Sequence, residues 1–216
     1  MEAQILRSPT FSDYPFSMGQ LSPDGIATFH FARDEIARAI RNDAVRLAPF
    51  VTMVTQSATV NHGGGLRKSR ERVYANPCHY AQSMFAALGE AAPVRTEPTC
   101  SSEKSPRVLP ELRSAEKEWT YRTLDVLAAR ANDGSLLLSI VHKGTQTPAV
   151  LEITLNDVDS ARNAEIRTLV ADVPWAVNAM EAPEAIKPIA STREFADGRL
   201  SLPLPPYSYA LVRIPR

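Results

Sequence analysis

The sequence is poor in the features that announce chemistry. It has only two cysteines, Cys78 and Cys100, in 216 residues. One pair in a chain of this length is no disulfide framework, and two free thiols are the simpler reading. No Cys-x-x-Cys or Cys/His cluster offers the spacing of a metal site. No apolar run reaches the roughly 18 residues that would suggest a membrane-spanning helix. An excess of one charge is lacking too: Lys plus Arg and Asp plus Glu are both 24, for a net charge of zero. That balance argues against an electrostatic nucleic-acid binder, which carries a basic excess or patch. Glycine is scarce, nine residues against 17 prolines, which suggests many ordered turns and edges. Residues 1–16 hold no apolar core flanked by basic residues, so they do not read as a secretory signal. The compartment is left open.

What is present is ordinary for a soluble globular chain: 44 % apolar and 22 % charged residues, enough to build a core. The length fits one large domain or two small ones. Residues 1–21 are rich in Ser, Pro and Phe and show no helical period. Ser22-Pro23-Asp24 then starts a helix, with a cap, a first-turn proline and an acid near the positive end of the dipole. It is expected to run to about Asn42, with Ile26, Phe29, Ala32, Ile36, Ala39 and Ile40 on one face. Val45–Thr55 reads as a buried strand, with Pro49 near its start. A helix followed by a buried strand is half of a βα repeat, which points to a parallel sheet or barrel. A long loop follows, containing Asn61-His62-Gly63-Gly64-Gly65. Asn76-Pro77 starts a second helix that ends before Gly89, with Tyr80, Met84 and Leu88 on one stripe.

Residues 90–118 are rich in Pro, Ser and Glu and read as a linker or crossing segment. Beyond them the pattern changes. Tyr121–Ala131 and Ser135–Lys143 flank Asn132-Asp133-Gly134, a strong hairpin signal. Val150–Leu155, Glu165–Val170, Ile189–Ala196, Arg199–Leu204 and Tyr209–Ile214 continue as short strands, with Asp197-Gly198 as a second tight turn. The expected fold is mixed. Residues 119–216 form an antiparallel β-sandwich or jelly roll. Before it, residues 1–89 read as a helix-strand-helix piece of a parallel sheet or barrel.

Three stretches carry a family resemblance. They are the helix-strand pair from Ala27 to Val54, the run Val73-Tyr74-Ala75-Asn76-Pro77-Cys78-His79-Tyr80-Ala81, and the β-domain ending. That ending is Trp175-Ala176-Val177-Asn178-Ala179-Met180-Glu181-Ala182-Pro183-Glu184, then Leu204-Pro205-Pro206-Tyr207-Ser208-Tyr209-Ala210-Leu211. In order and spacing the chain resembles the C-terminal portion of α-L-arabinofuranosidases, glycoside hydrolases with a (β/α)8 barrel followed by a jelly roll. The likeness implies that residues 1–89 are the last helix-strand-helix elements of an incomplete (β/α)8 barrel. The resemblance implies a parent activity: hydrolysis of terminal non-reducing α-L-arabinofuranosyl groups by a retaining mechanism. Such a mechanism uses two glutamates about 5 Å apart, with no metal or cofactor. Neither glutamate finds a counterpart here, so no catalytic residue is assigned and the chain alone is expected to be inactive. Glu2 lies near the end of the expected nucleophile strand but lacks the flanking aromatics. Thr52 stands where related enzymes have a sugar-binding Gln. The implied partners are an arabinose-containing polysaccharide or oligosaccharide and either a missing barrel portion or further copies of the chain. Nucleic acid and membrane are not among them.

Asn61 and His62 are the substrate-binding candidates. If Val45–Thr55 is the last barrel strand, their loop follows its C-terminal end, where such barrels carry their active sites. The two side chains would then donate hydrogen bonds to furanose hydroxyls. The plain alternative is a glycine loop with a solvated histidine. Arg67-Lys68-Ser69-Arg70-Glu71-Arg72 reads as a solvated charge run, and His79 as a satisfied structural histidine. Trp119, Trp175, Tyr207 and Tyr209 read as packing rather than sugar-stacking residues. A rival for the whole chain is a noncatalytic β-sandwich module that binds carbohydrate or a protein partner. It would show an exposed row of aromatics on one sheet face.

Overall fold

The computed structural model describes residues 42–43, 45–47, 60–61, 65–104, 120–144, 147–155, 162–173 and 176–216. The helix expected from Ser22, most of the strand expected over Val45–Thr55, and both tryptophans lie outside them. Among the described residues the chain is dominated by antiparallel strands. The main sheet has six: β3 (Ala92–Val94), β6 (Leu124–Arg130), β7 (Leu136–His142), β9 (Arg162–Val170), β10 (Ile189–Phe195) and β12 (Ser208–Ile214). Their order is β10-β9-β12-β7-β6-β3. Three two-stranded ladders accompany it: β1 (Leu66–Ser69) with β2 (Arg72–Ala75), β4 (Ser102–Lys104) with β5 (Thr120–Arg122), and β8 (Ala149–Thr154) with β11 (Arg199–Leu204).

The main sheet is covered on both faces, and the sequence says why. A half-solvated strand alternates; a strand buried on both sides is apolar throughout. β7 reads Leu-Leu-Leu-Ser-Ile-Val-His, and every residue after Leu136 is buried. Leu138 and Ile140 enter one core with Leu124, Val126, Ile166 and Val212; Leu200, Leu202 and Leu204 of β11 belong to the same core. β11 alternates buried and exposed residues from Arg199 to Leu204, as a one-sided outer strand should. Leu137 and Val141 enter the opposite core with Leu127, Leu169 and Leu211, beneath Ala81, Met84 and Leu88. Each fully buried leucine contributes about 1.5–3 kcal/mol of transfer free energy. The antiparallel β-sandwich expected after residue 119 is therefore present, with a helix laid on the outer face of its main sheet.

That helix is α1 (Pro77–Phe85), continued by a 3-10 turn at Ala86–Leu88 before Gly89. Asn76 starts it without capping it by side chain. Its Oδ1 accepts from the Asn178 backbone N–H instead (3.1 Å). Residues 42, 43, 45 and 46 are helical and 47 is a turn. The helix thus reaches past Asn42 and occupies the first positions expected to be strand. The Leu47 N–H donates to the Asp43 carbonyl at 2.9 Å, and the Arg46 guanidinium reaches the Asp43 carboxylate at 2.8 Å. These i,i+4 and i,i+3 contacts hold the last turn.

The segment read as a linker or crossing piece supplies β3, which pairs with β6 at one edge of the main sheet, and β4, which pairs with β5. Asp197-Gly198 makes the tight turn expected of it, with φ of 51° and 68°. It does not close a simple hairpin, however. β10 pairs with β9 in the main sheet, while β11 pairs with β8 in the other layer. The turn hands the chain from one layer to the next.

Candidate functional site

The loop singled out in the sequence ends at Gly65, which sits at φ 89°. A Cβ there would lie 2.6 Å from the His79 backbone nitrogen, so only glycine fits both the dihedral and the space. The Gly65 carbonyl accepts from the Asn76 N–H at 2.7 Å, which joins the loop to the start of α1. Asn61 is exposed and left-handed, with φ 58°. Its side chain is already engaged: Oδ1 accepts from the Lys68 N–H (2.8 Å) and Nδ2 donates to the Lys68 carbonyl (3.1 Å). Its own N–H donates to the Leu66 carbonyl at 2.8 Å. Asn61 thus clamps the β1–β2 ribbon to the loop. His62 lies outside the described residues.

His79 differs from the reading given to it. It is half-buried and packs edge-on to Tyr80, with ring centroids 6.4 Å apart. Its Nδ1 is buried without a hydrogen-bond partner. The histidine beside Gly65 is therefore unsatisfied at one ring nitrogen.

A residue given no role of its own in the sequence reading holds this region together. Asn178 is 2 % exposed. Its Nδ2 donates to the Ala75 carbonyl (2.7 Å) and the Ile186 carbonyl (2.8 Å), and its Oδ1 accepts from the Ile186 N–H (2.8 Å). Nearby, Arg72 donates to the Met180 carbonyl at 2.8 Å. Asn178 and Arg72 thus tie segment 176–186 to the ribbon and the start of α1. The only sequence signal was Asn178's place in the stretch that carries the family resemblance.

The closing motif is also explained by geometry. The Pro205 carbonyl accepts from Ser208 Oγ (2.7 Å) and lies 2.8 Å from His142 Nδ1. His142 and Ser208 are both buried. Tyr209 is buried as well, and its hydroxyl meets Ser139 Oγ at 3.3 Å. Ser139 donates onward to Asn42 Oδ1 (2.8 Å), and Asn42 Nδ2 donates to Asp125 (2.8 Å). Arg46 closes the network on Asp125 (2.5 Å) and the Val126 carbonyl (2.7 Å). Burial, reinforced by the nearby Asp125 charge, pushes the Asp43 carboxyl above its ordinary range despite the Arg46 contact. These polar groups dock the helical residues before the loop onto β6 and β7. Tyr207 and Tyr121 are half-buried, so the described aromatics form no exposed row on a sheet face.

Two sandwich layers with a helix on the outer face and a clamped ribbon beside it define an accessory β-domain. The model of the α-L-arabinofuranosidase C-terminal domain matches residues 37–208, and the chain belongs to that family. Comparison with curated protein sequences gives no match. Among solved structures, the chain is similar to the α-L-arabinofuranosidase of Thermotoga maritima, in complex with arabinose, at 15 % identity and TM-score 0.69, covering 86 % of this chain and 38 % of that one. It is similar to the GH51 arabinofuranosidase of Xanthomonas axonopodis pv. citri at 13 % identity and TM-score 0.73, covering 85 % and 35 %. For the thermostable GH51 enzyme of Thermotoga petrophila RKU-1 the values are 16 %, 0.68, 85 % and 38 %. At these identities the likeness is one of fold. The chain spans between 35 % and 38 % of those enzymes' length.

Proposed function

We propose that the chain is the C-terminal portion of an α-L-arabinofuranosidase. The parent reaction is hydrolysis of terminal α-L-arabinofuranosyl groups from an arabinose-containing glycan, by double displacement on two glutamates. Those glutamates belong to barrel strands outside this chain, so the chain alone releases no arabinose. Its own contribution is to finish the barrel and to brace it. The helical residues 42–46 lock onto Asp125 and Ser139 through the buried Asn42 network. The loop of Asn61 and His62 then stands at the sugar-binding end. Because the Asn61 amide is held by Lys68, we assign it to shaping that loop and leave the hydrogen bond to a furanose hydroxyl to His62.

The observation that carries this reading is the family match over residues 37–208 together with the shared fold. The test has two arms. The purified chain is assayed for arabinose release from linear arabinan, with none expected. It is then joined to a coding region for the preceding barrel strands, read from the DNA upstream of its own first codon, and assayed again. Release by the joined protein, abolished by changing either barrel glutamate to Gln, is the expected result. Release by the chain alone would overturn the assignment of both carboxylates to the missing part.

A further inference from the structure

The charge run that reads as solvated loop in the sequence is an ordered ribbon. Its register pairs Arg67 with Tyr74, Lys68 with Val73 and Ser69 with Arg72. Directly opposed residues share a face and successive residues alternate. One face therefore carries Arg67, Ser69, Arg72 and Tyr74, and an aromatic stands directly across from a guanidinium. Arg70 occupies the tip, beside Glu71, with φ of 53°. That left-handed conformation suits glycine and is uncommon for arginine. Lys68, Arg70, Glu71 and Arg72 are exposed, and Arg67 is half-buried. Among the described residues, Arg67, Lys68 and Arg70 take part in no ion pair.

The ribbon is also held still. Asn61 grips Lys68 by its backbone, Arg72 reaches the Met180 carbonyl, and Gly65 is seated against His79. Arg67 and the tip residue Arg70 are thus two cations on a fixed support without a carboxylate partner among the described residues, while Lys68 alternates to the opposite face. A planar guanidinium suits a carboxylate, and an aromatic ring beside it suits the apolar face of a sugar. We propose that the β1–β2 ribbon binds uronic-acid units of an acidic polysaccharide, with Arg67 and Arg70 on the carboxylates and Tyr74 beneath a sugar ring. The proposal rests on the arabinofuranosidase reading, whose glycan it makes more specific: an arabinose-bearing polymer that also carries uronate. A nucleic acid is the weaker fit, because the chain has no net positive charge to supply the usual long-range attraction.

The test uses the full chain and four probes: polygalacturonate, highly methyl-esterified pectin, neutral linear arabinan, and a single-stranded DNA oligonucleotide. Polygalacturonate should bind, and the affinity should fall with salt. Arg67→Glu/Arg70→Glu should weaken it by roughly tenfold or more, the effect of replacing two charge-assisted contacts by like-charge repulsion. Arg70→Gly relieves the backbone, so it should fold at least as well as the parent and still bind polygalacturonate less tightly. Equal binding of the esterified pectin, tighter binding of DNA, or unchanged affinity in both variants would each overturn the proposal. Neutral arabinan contains no carboxylate, so arabinose release from it by the joined enzyme reports on the parent function alone. Failure there and failure on polygalacturonate are separate results.

Discussion

At the scale of single residues, side-chain amides and carboxylates do work that their sequence neighbours do not reveal. The buried Asn178 side chain satisfies three partly buried backbone groups at once. Asn178→Ala should cost about 1–3 kcal/mol in urea denaturation, because the partly buried Ala75 and Ile186 groups would lose their partner. Asn178→Asp should be no better, since it presents a carboxylate to two carbonyls. Asp133 gives the pH dependence. The Ser135 backbone N–H, then the Ser135 side chain and the Arg213 guanidinium, hold its carboxyl below the ordinary value of 3.8. A depressed acid stabilises the fold above its unfolded value and loses that contribution as pH falls through 3.8 toward the lower folded value. Acid titration of Asp133→Asn should therefore show a shallower fall in stability below about pH 4 than the parent. These roles were illegible for a physical reason. An Asn in a Pro-rich stretch looks like any turn residue, and while Ile186 lies eight positions away, Ala75 and Asn76 lie 103 and 102 positions away. Asn61 was legible as special but not as a clamp, because its partner's backbone geometry depends on the ribbon.

At the scale of elements, the sequence spoke clearly wherever a period or a turn is local. Asn132-Asp133-Gly134 announced the β6–β7 hairpin, and Gly134 takes φ 83° there. The start of α1 at Pro77 was equally plain, whereas its α-helical part ends at Phe85 and a 3-10 turn over Ala86–Leu88 carries the chain to Gly89. Beyond these, β3 and β4 are three residues each and sit at edges, too short for alternation to register. The Asp197-Gly198 turn was legible, yet its role of passing between layers was not, because partner choice depends on β8 and β9. Gly198 at φ 68° tolerates no β-carbon without cost. Gly198→Ala should lower stability by about 1–2 kcal/mol, and Asp197→Gly, at φ 51°, should not lower it. A thermal melt of the pair reads both signs. The helix and strand expected before residue 60 lie mostly outside the described residues, and within these, residues 45 and 46 are helical where the strand was expected to begin.

At the scale of the whole molecule, one sheet serves two cores. Ile166 points into the sandwich and Leu169 toward α1, three residues apart on the same strand. Ile166→Ala and Leu169→Ala should each cost about 2–5 kcal/mol. Both should lower the same single midpoint, monitored by far-ultraviolet circular dichroism, because neither face can melt while β9 stays paired. Two separable transitions would contradict this. The two rims of that sheet are unlike. β3 ends it with three residues that include Pro93, which has no N–H to offer. β10 ends it with seven, six of them exposed, and among the described residues nothing pairs with its outer side. A bare rim of that length is a template on which sheets of neighbouring molecules can grow into fibrils. Arg193 and Glu194, set side by side near its end, are the charges that spoil such stacking. Replacing Arg193 and Glu194 together by Thr should therefore raise light scattering in concentrated solution while leaving the thermal midpoint of the dilute protein unchanged.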